Sequence, residues 1–267
     1  MKRIVYVLVV LVLSCGMLQG QNLVILHVND THSHNEPLRG GDQEGLGGAI
    51  EIAAYVDSVR AAAGSKNVLL LHAGDWSQGS SYFTMFGGKV EDEIVEATGF
   101  DCLCLGNHEF DNGIEALADR LKKIKAPVVC SNYDFPAPLD KQVDKYAIII
   151  RGNFKIGIYS IICDLGAMVD SRLTQGIVKL DDVETANKMA SYLKIDKDCD
   201  IVIALTHDGF QADCELVKQI SNTDIVIGGH SHTFLEGFEH VTDKHGKDVP
   251  IIQDGCWGLA VGKINVY

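Results

Sequence analysis

Five times along the chain a short run of apolar residues breaks off into Asp, Asn and His. The runs are Leu23–Val28, Val68–His72, 102–105, Ile201–Leu205 and Ile225–Ile227. Each has the length of a strand and is rich in Val, Ile and Leu, as a strand buried on both faces should be. Each opens into polar residues at its carboxyl end. In order these are Asn29-Asp30-Thr31-His32, Gly74-Asp75, Gly106-Asn107-His108-Glu109-Phe110-Asp111, Thr206-His207-Asp208 and Gly228-Gly229-His230-Ser231-His232. Ligands of α/β sheets bind at the carboxyl edge, so five such ends predict one site.

Between the runs the spacing turns helical. Ala49–Ala63 carries apolar residues at helical intervals, with Gly64 as a stop. Further helices are predicted over 90–98, over 113–125 with Asn112 as N-cap and Pro127 beyond it, over 182–193 with Asp181 as cap, and over 212–220. Residues 35–48 and 76–88 read as loops. More strands are predicted over 128–131, 249–253 and 259–266, with an antiparallel pair at 146–150 and 155–162 about Arg151-Gly152-Asn153. Alternation with strand pairs late in the chain predicts an α/β fold of two β-sheets flanked by helices. No internal repeat and no linker interrupts it.

A chain of 267 residues can bury one sizeable core. Its formal net charge of -13 repels polyanions, which argues against a nucleic-acid polymer as partner. A small phosphate-ester substrate stays compatible with that charge where metal cations supply the local positive field. The N-terminus reads Met-Lys-Arg, then an apolar stretch over 4–13 that is too short to span a bilayer. This is the pattern of a secretory signal. Cleavage after Gly20 makes 1–20 the signal peptide and 21–267 the mature domain. Cleavage before Cys15 is the alternative, because Val12-Leu13-Ser14-Cys15 resembles a bacterial lipobox, and it would put a lipid anchor on Cys15. Either way the expected destination is the periplasm or cell envelope.

Seven cysteines follow Cys15, so at least one stays unpaired within the chain. Cys102 and Cys104 share one face of a strand. Two buried small hydrophobes are favoured over a C-x-C metal pair, since no second Cys or His pair sits near them.

The strand ends together offer Asp30, His32, Asp75, Asn107, His207, His230 and His232. Mixed imidazole and carboxylate ligands suit divalent Zn, Mn or Fe. Seven side chains serve two ions if one carboxylate bridges, and Asp75, alone at its strand end, is the natural bridge. Asp30 and His32 are two apart, as are His230 and His232, so in extended backbone each pair points one way. Taken singly, a buried Asp or His is usually a satisfied core group or a helix cap. The weight lies in the conjunction at five strand ends, with glycines allowing close backbone approach. His34 and Asp208 fall outside the ligand set, His27 and His72 lie in apolar runs and read as core, and Asn132 is a rim candidate.

These strings resemble the motifs of the calcineurin-like metallophosphoesterases. Gly106 through Gly113, reading GNHEFDNG, and the tail Gln253-Asp254-Gly255 through Trp257-Gly258 to Gly262 resemble the N-terminal catalytic domain of the 5′-nucleotidase/UDP-sugar hydrolase group. The resemblance covers nearly all of the chain after the leader. It implies a four-layer αββα sandwich and two metal ions. Asp30, His32, Asp75 and His232 would hold one ion, and Asp75, Asn107, His207 and His230 the other. His108 and Asp111 match the catalytic pair. The last ligand is often Gln or Asn in nucleotidases, and here it is His232. The implied reaction is hydrolysis of phosphate monoesters, with His108 donating to a phosphoryl or leaving-group oxygen. Nucleotidases of the group carry a second, C-terminal domain whose aromatics stack the base, and this sequence ends where the first domain should end. The readings that follow are a stand-alone phosphoesterase, a catalytic subunit with a separately encoded substrate domain, or a metal-binding protein without turnover. A thioester-type sulfate hydrolase is a remoter alternative.

Overall fold

The computed structural model describes residues 23–267. The leader, its two cleavage sites and Cys15 lie outside the described residues. The described strands are β1 (Leu23–Val28), β2 (Val68–His72), β3 (Cys102–Cys104), β4 (Val128–Val129), β5 (Tyr133–Asp134), β6 (Tyr146–Arg151), β7 (Phe154–Tyr159), β8 (Val178–Lys179), β9 (Ile201–Leu205), β10 (Ile225–Ile227), β11 (Glu239–Thr242), β12 (Asp248–Ile252) and β13 (Gly262–Val266). The helices are α1 (Ala49–Ala63), α2 (Ser81–Phe86), α3 (Lys89–Thr98), α4 (Gly113–Leu121), α5 (Leu165–Met168), α6 (Asp182–Ser191) and α7 (Phe210–Val217).

The strands form two large mixed sheets. One runs β13-β1-β2-β3-β4, the other β11-β12-β10-β9-β7-β6, and β5 pairs with β8 apart from both. In the first, β1 to β4 are parallel and only β13 is antiparallel. In the second, β12, β10, β9 and β7 are parallel, with antiparallel β11 and β6 at the two edges. Helices supply the crossovers that parallel neighbours require.

Period-two alternation sorts the apolar side chains into three cores. Val24, Leu26 and Val28 of β1 pack with Val56 of α1, Val95 of α3 and Leu117 of α4. Leu23 and Ile25 face the other way and meet Ile158, Ile203 and Ile227 of the second sheet. That sheet turns Val202, Ala204 and Val226 toward Ala186 and Ala190 of α6 and Leu216 of α7. Helix, sheet, sheet and helix therefore stack as four layers, the expected αββα sandwich. Covering both faces of each sheet is what makes the strand sequences near-continuously apolar.

Cys102 and Cys104 lie in the core between the sheets, buried and free. Burial pushes both thiols well above their ordinary range, so they serve as small hydrophobes and not as a metal pair.

Several boundaries differ from expectation. Helix α4 stops at Leu121, and the Asn112 side chain makes no capping bond. Asp181 does cap α6, accepting from the Glu184 amide at 2.8 Å. That helix ends at Ser191 and widens into a π-helical turn over Tyr192–Asp196. The expected loop 76–88 contains α2, capped by Ser80. Strand β13 begins at Gly262, and β11 gave no signal because its residues are mostly solvent-facing on a sheet edge. Among the described residues no helix is long and apolar enough to cross a membrane.

Candidate metal centre

The carboxyl ends of β1, β2, β3, β9 and β10 meet at one cleft of about 500 Å³, lined by His32, Asp75, Asn107, His108, His230 and His232 among others. Three groups of side chains bring ligand atoms within 4.8 Å of one another: Asp30 with His32 and His232, Asp75 with His207 and His230, and His32 with Asp75 and His108. Within the first, Asp30 Oδ1 lies 3.6 Å from His32 Nε2 and 3.4 Å from His232 Nε2, and the two imidazole nitrogens are 2.9 Å apart. Within the second, Asp75 Oδ2 is 3.0 Å from His207 Nε2. The groups touch: Asp75 Oδ2 is 3.8 Å from His32 Nε2, and Asp30 Oδ1 is 3.9 Å from His207 Nε2. Asn107 shares the cleft, and its Oδ1 accepts from Cys163 Sγ at 3.6 Å.

Of the two pairs expected to point one way from extended backbone, Asp30 and His32 converge on one group, whereas His230 and His232 do not. Asp30, His32, Asp75, His230 and His232 all have left-handed backbones, with φ of 49°, 48°, 54°, 78° and 54°. In such turns, residues two apart need not share a side. His232 joins Asp30, whereas His230 joins Asp75. Left-handed backbone costs a non-glycine residue roughly 1–2 kcal/mol, and strain of this kind collects at functional sites.

Several residues without an assigned role hold these turns. Glu109 accepts from the amides of Gly106, Asp75 and Ser77 at 2.7, 2.9 and 3.1 Å. Asn29 donates to Asp30 Oδ2 and to the Gly255 carbonyl, both at 2.6 Å. Gln253 accepts from the Thr233 amide and donates to the Gly229 carbonyl, again both at 2.6 Å. All three stood inside the motif strings, but only folding shows what they touch. Gly106 is required by contact, since a Cβ there would lie 2.1 Å from Asp75 Oδ1.

The donor set fits a divalent cation. His207 Nδ1 donates to the Ala73 carbonyl at 2.7 Å, and His32 Nδ1 donates to the Gln78 carbonyl at 3.1 Å. These bonds fix each ring and leave Nε2 facing the ligand cluster, where a metal ion can take the place of a proton, the usual arrangement of metal-ligating histidine. His207 Nε2 is buried and has no partner in hydrogen-bonding geometry. Against burial, the charges of Asp75 and Asp30 push His207 up to about 10. Burial also opposes ionisation of Asp30, yet His207, His232, His32 and Asn29 hold it well below the usual carboxylate range. Charged carboxylates buried among imidazoles call for a cation at their meeting point.

His108 stands beside this cluster. Its amide donates to Asp75 Oδ1 at 2.9 Å, and its Nδ1 donates to Asp111 Oδ2 at 2.8 Å. The Asp111 bond raises His108 above its ordinary value.

Other candidates lie elsewhere. His27 is buried against Asp254 at 2.6 Å, and His72 is buried beside Thr31 and Trp76. Asn132 is not at the rim: it is fully buried, donating to the Ile162 carbonyl and to Asp182. His34 lines the cleft, whereas Asp208 does not.

Carboxylates and imidazole lone pairs gathered at the carboxyl edges of two facing sheets define a metallohydrolase type of fold and site. The chain belongs to the calcineurin-like phosphoesterase family, which its residues 23–234 match. It is 31% identical over 278 residues to a snake venom 5′-nucleotidase of Naja atra, covering 91% of this chain and 50% of the relative. The 5′-nucleotidase of Bos taurus is 31% identical over 268 residues, covering 91% and 46%. The crystal structure of a 5′-nucleotidase precursor from Thermus thermophilus superposes with a TM-score of 0.84 at 32% identity, covering 92% of this chain and 51% of that one. The chain thus spans about half the length of the curated relatives it matches.

Proposed function

We propose that the chain hydrolyses phosphate monoesters, nucleotides foremost, with two divalent ions of the Zn, Mn or Fe class. The observation that carries this is the pair of ligand groups in contact across Asp30 and Asp75, with His108 and Asp111 at their side. Asp30, His32, Asp75 and His232 would hold one ion, and Asp75, Asn107, His207 and His230 the other. Such ions, when bound, act as Lewis acids on phosphoryl oxygen and make water nucleophilic at neutral pH.

The chain's own residues do the rest. Asp30 and Asp75 supply negative charge in a buried place, and His32 and His207 offer lone pairs held by backbone carbonyls. Asp111 holds the His108 ring by Nδ1, so Nε2 serves as donor to a phosphoryl or leaving-group oxygen. The 5′-nucleotidase relatives support the nucleotide reading. Residues 21–267 then constitute the catalytic domain, exported by the leader over 1–20, with lipid-modified Cys15 as the alternative mature start.

Elemental analysis of the purified chain, beside turnover of AMP and an aryl phosphate before and after chelation, tests the reaction. Activity in a metal-free preparation would overturn it. Two bound metals without turnover of either substrate would instead indicate that a separate substrate domain is required. Mass spectrometry of the native N-terminus distinguishes Gln21 from lipidated Cys15, and an intact Met1 on cytosolic protein refutes export.

A further inference from the structure

At the mouth of the cleft stands an indole with no part in the ligand set. Trp257 lines the cleft together with His32, His108 and His232. Its φ of 62° is left-handed, a conformation rare for a bulky side chain. Glycine would occupy it without strain, so an indole kept there invites a functional reading. Two hydrogen bonds to backbone carbonyls brace it and its stacking partner. The Trp257 amide donates to the Asp30 carbonyl at 2.7 Å. His34 stacks on the indole, with centroids 5.0 Å apart and planes 22° apart, while its own Nδ1 donates to the His32 carbonyl at 2.9 Å. The platform is therefore anchored on the two residues that begin the ligand set.

His34 takes one part of the indole, and 37% of Trp257 remains exposed. Met168, at the end of α5, lines the same cleft and is 53% exposed. An aromatic ring and a soft thioether thus sit at the rim of a cleft whose interior is polar. A phosphate ester that places its phosphoryl group among Asp30, His32 and His232 would lead its leaving group out past this rim.

We propose that Trp257, braced by His34, is a leaving-group platform that stacks planar aromatic groups, nucleobases foremost, while the ligand cluster holds the phosphate. The proposal rests on the phosphoesterase reading above. It makes this chain selective for aromatic over aliphatic leaving groups, with little discrimination among bases, because every base presents a π-face.

The test uses Trp257→Gly, which suits the left-handed backbone, and Trp257→Phe, which keeps an aromatic face. AMP and ribose 5-phosphate share the ribosyl phosphate and differ in the base. Trp257→Gly is expected to lower kcat/KM for AMP on the order of 10- to 100-fold, mainly through KM, and to leave ribose 5-phosphate unchanged. Trp257→Phe should recover most of the loss. Equal losses on both substrates would trace the effect to the Asp30 tie and overturn the proposal. A second readout needs no turnover. Trp257 is the exposed one of two tryptophans, since Trp76 is buried. Adenosine should quench the emission of wild type and not of Trp257→Gly, and ribose should quench neither. If wild type turns over neither AMP nor ribose 5-phosphate, the stand-alone phosphoesterase reading fails independently of the platform. The adenosine quench then decides the platform: its presence upholds the stack, and its absence overturns it.

Discussion

Asp75 and His207 are part of the packed interior, whereas the other ligand group rises from buried Asp30 to His232, whose side chain is 40% exposed. Around the first pair, Glu109 holds the Asp75 amide and the Ala73 carbonyl fixes the His207 ring. His232 stands on a loop that Gln253 ties down at Ser231 and Thr233. The same ligand chemistry therefore has two kinds of support. At the inner end, binding and folding are coupled, because removing one buried charge strands the other. At the outer end, a ligand can be lost while the fold stays as it was.

Asp75→Ala should have the largest effect. It removes the carboxylate nearest His207 at the bottom of the cleft, and breaking a buried pair costs about 3–5 kcal/mol. Metal content, activity and melting temperature should fall together. Full metal content in this variant would break the comparison. His108→Ala comes next: its rate should drop by something like 10²–10⁴-fold with metal content intact. Loss of metal would make His108 a ligand, a role its closeness to His32 and Asp75 permits. For His232→Ala, we expect metal affinity to weaken by at least the roughly 10- to 100-fold that loss of a group supporting a metal ligand costs. Its melting temperature in the absence of added metal should stay near wild type, and a large drop would deny the outer group its independence.

The last effect concerns a carboxyl of the opposite kind. Asp213 on α7 is fully buried, and neither oxygen has a partner in hydrogen-bonding geometry. Burial pushes it up to about 8, so it is held neutral where Asp30 is charged. A carboxyl raised in the folded state keeps its proton while the unfolded chain releases it. Its contribution is therefore complete below the ordinary value of 3.8 and is lost as pH rises toward about 8. Asp213→Asn removes this dependence and should be more stable than wild type at pH 8, relative to pH 5, in urea melts. An unchanged pH profile would mean that Asp213 is charged and paired.

The sequence alone determined the layers and the kinds of ligand. Strands such as 201–205 are apolar at every position because both faces are covered, and that needs no knowledge of neighbours. The break into Asp, Asn or His at each carboxyl end is equally local, and so is the string from Gly106 to Gly113. Directions and partners were decided only by the tertiary structure. His230 and His232 part company because their backbones turn left-handed, which a reading of extended chain does not foresee. His32 meets His232 across 200 residues of sequence. Glu109, Asn29 and Gln253 acquire their roles from amides and carbonyls that folding brings to them. Asn132 follows a buried strand, as the ligands do, yet its amide is taken by Ile162 and Asp182, and the rim falls to Trp257. Periodicity records which face a residue occupies within its own element. Which other element meets that face depends on contacts far apart in the chain, and the geometry of the site follows from those contacts.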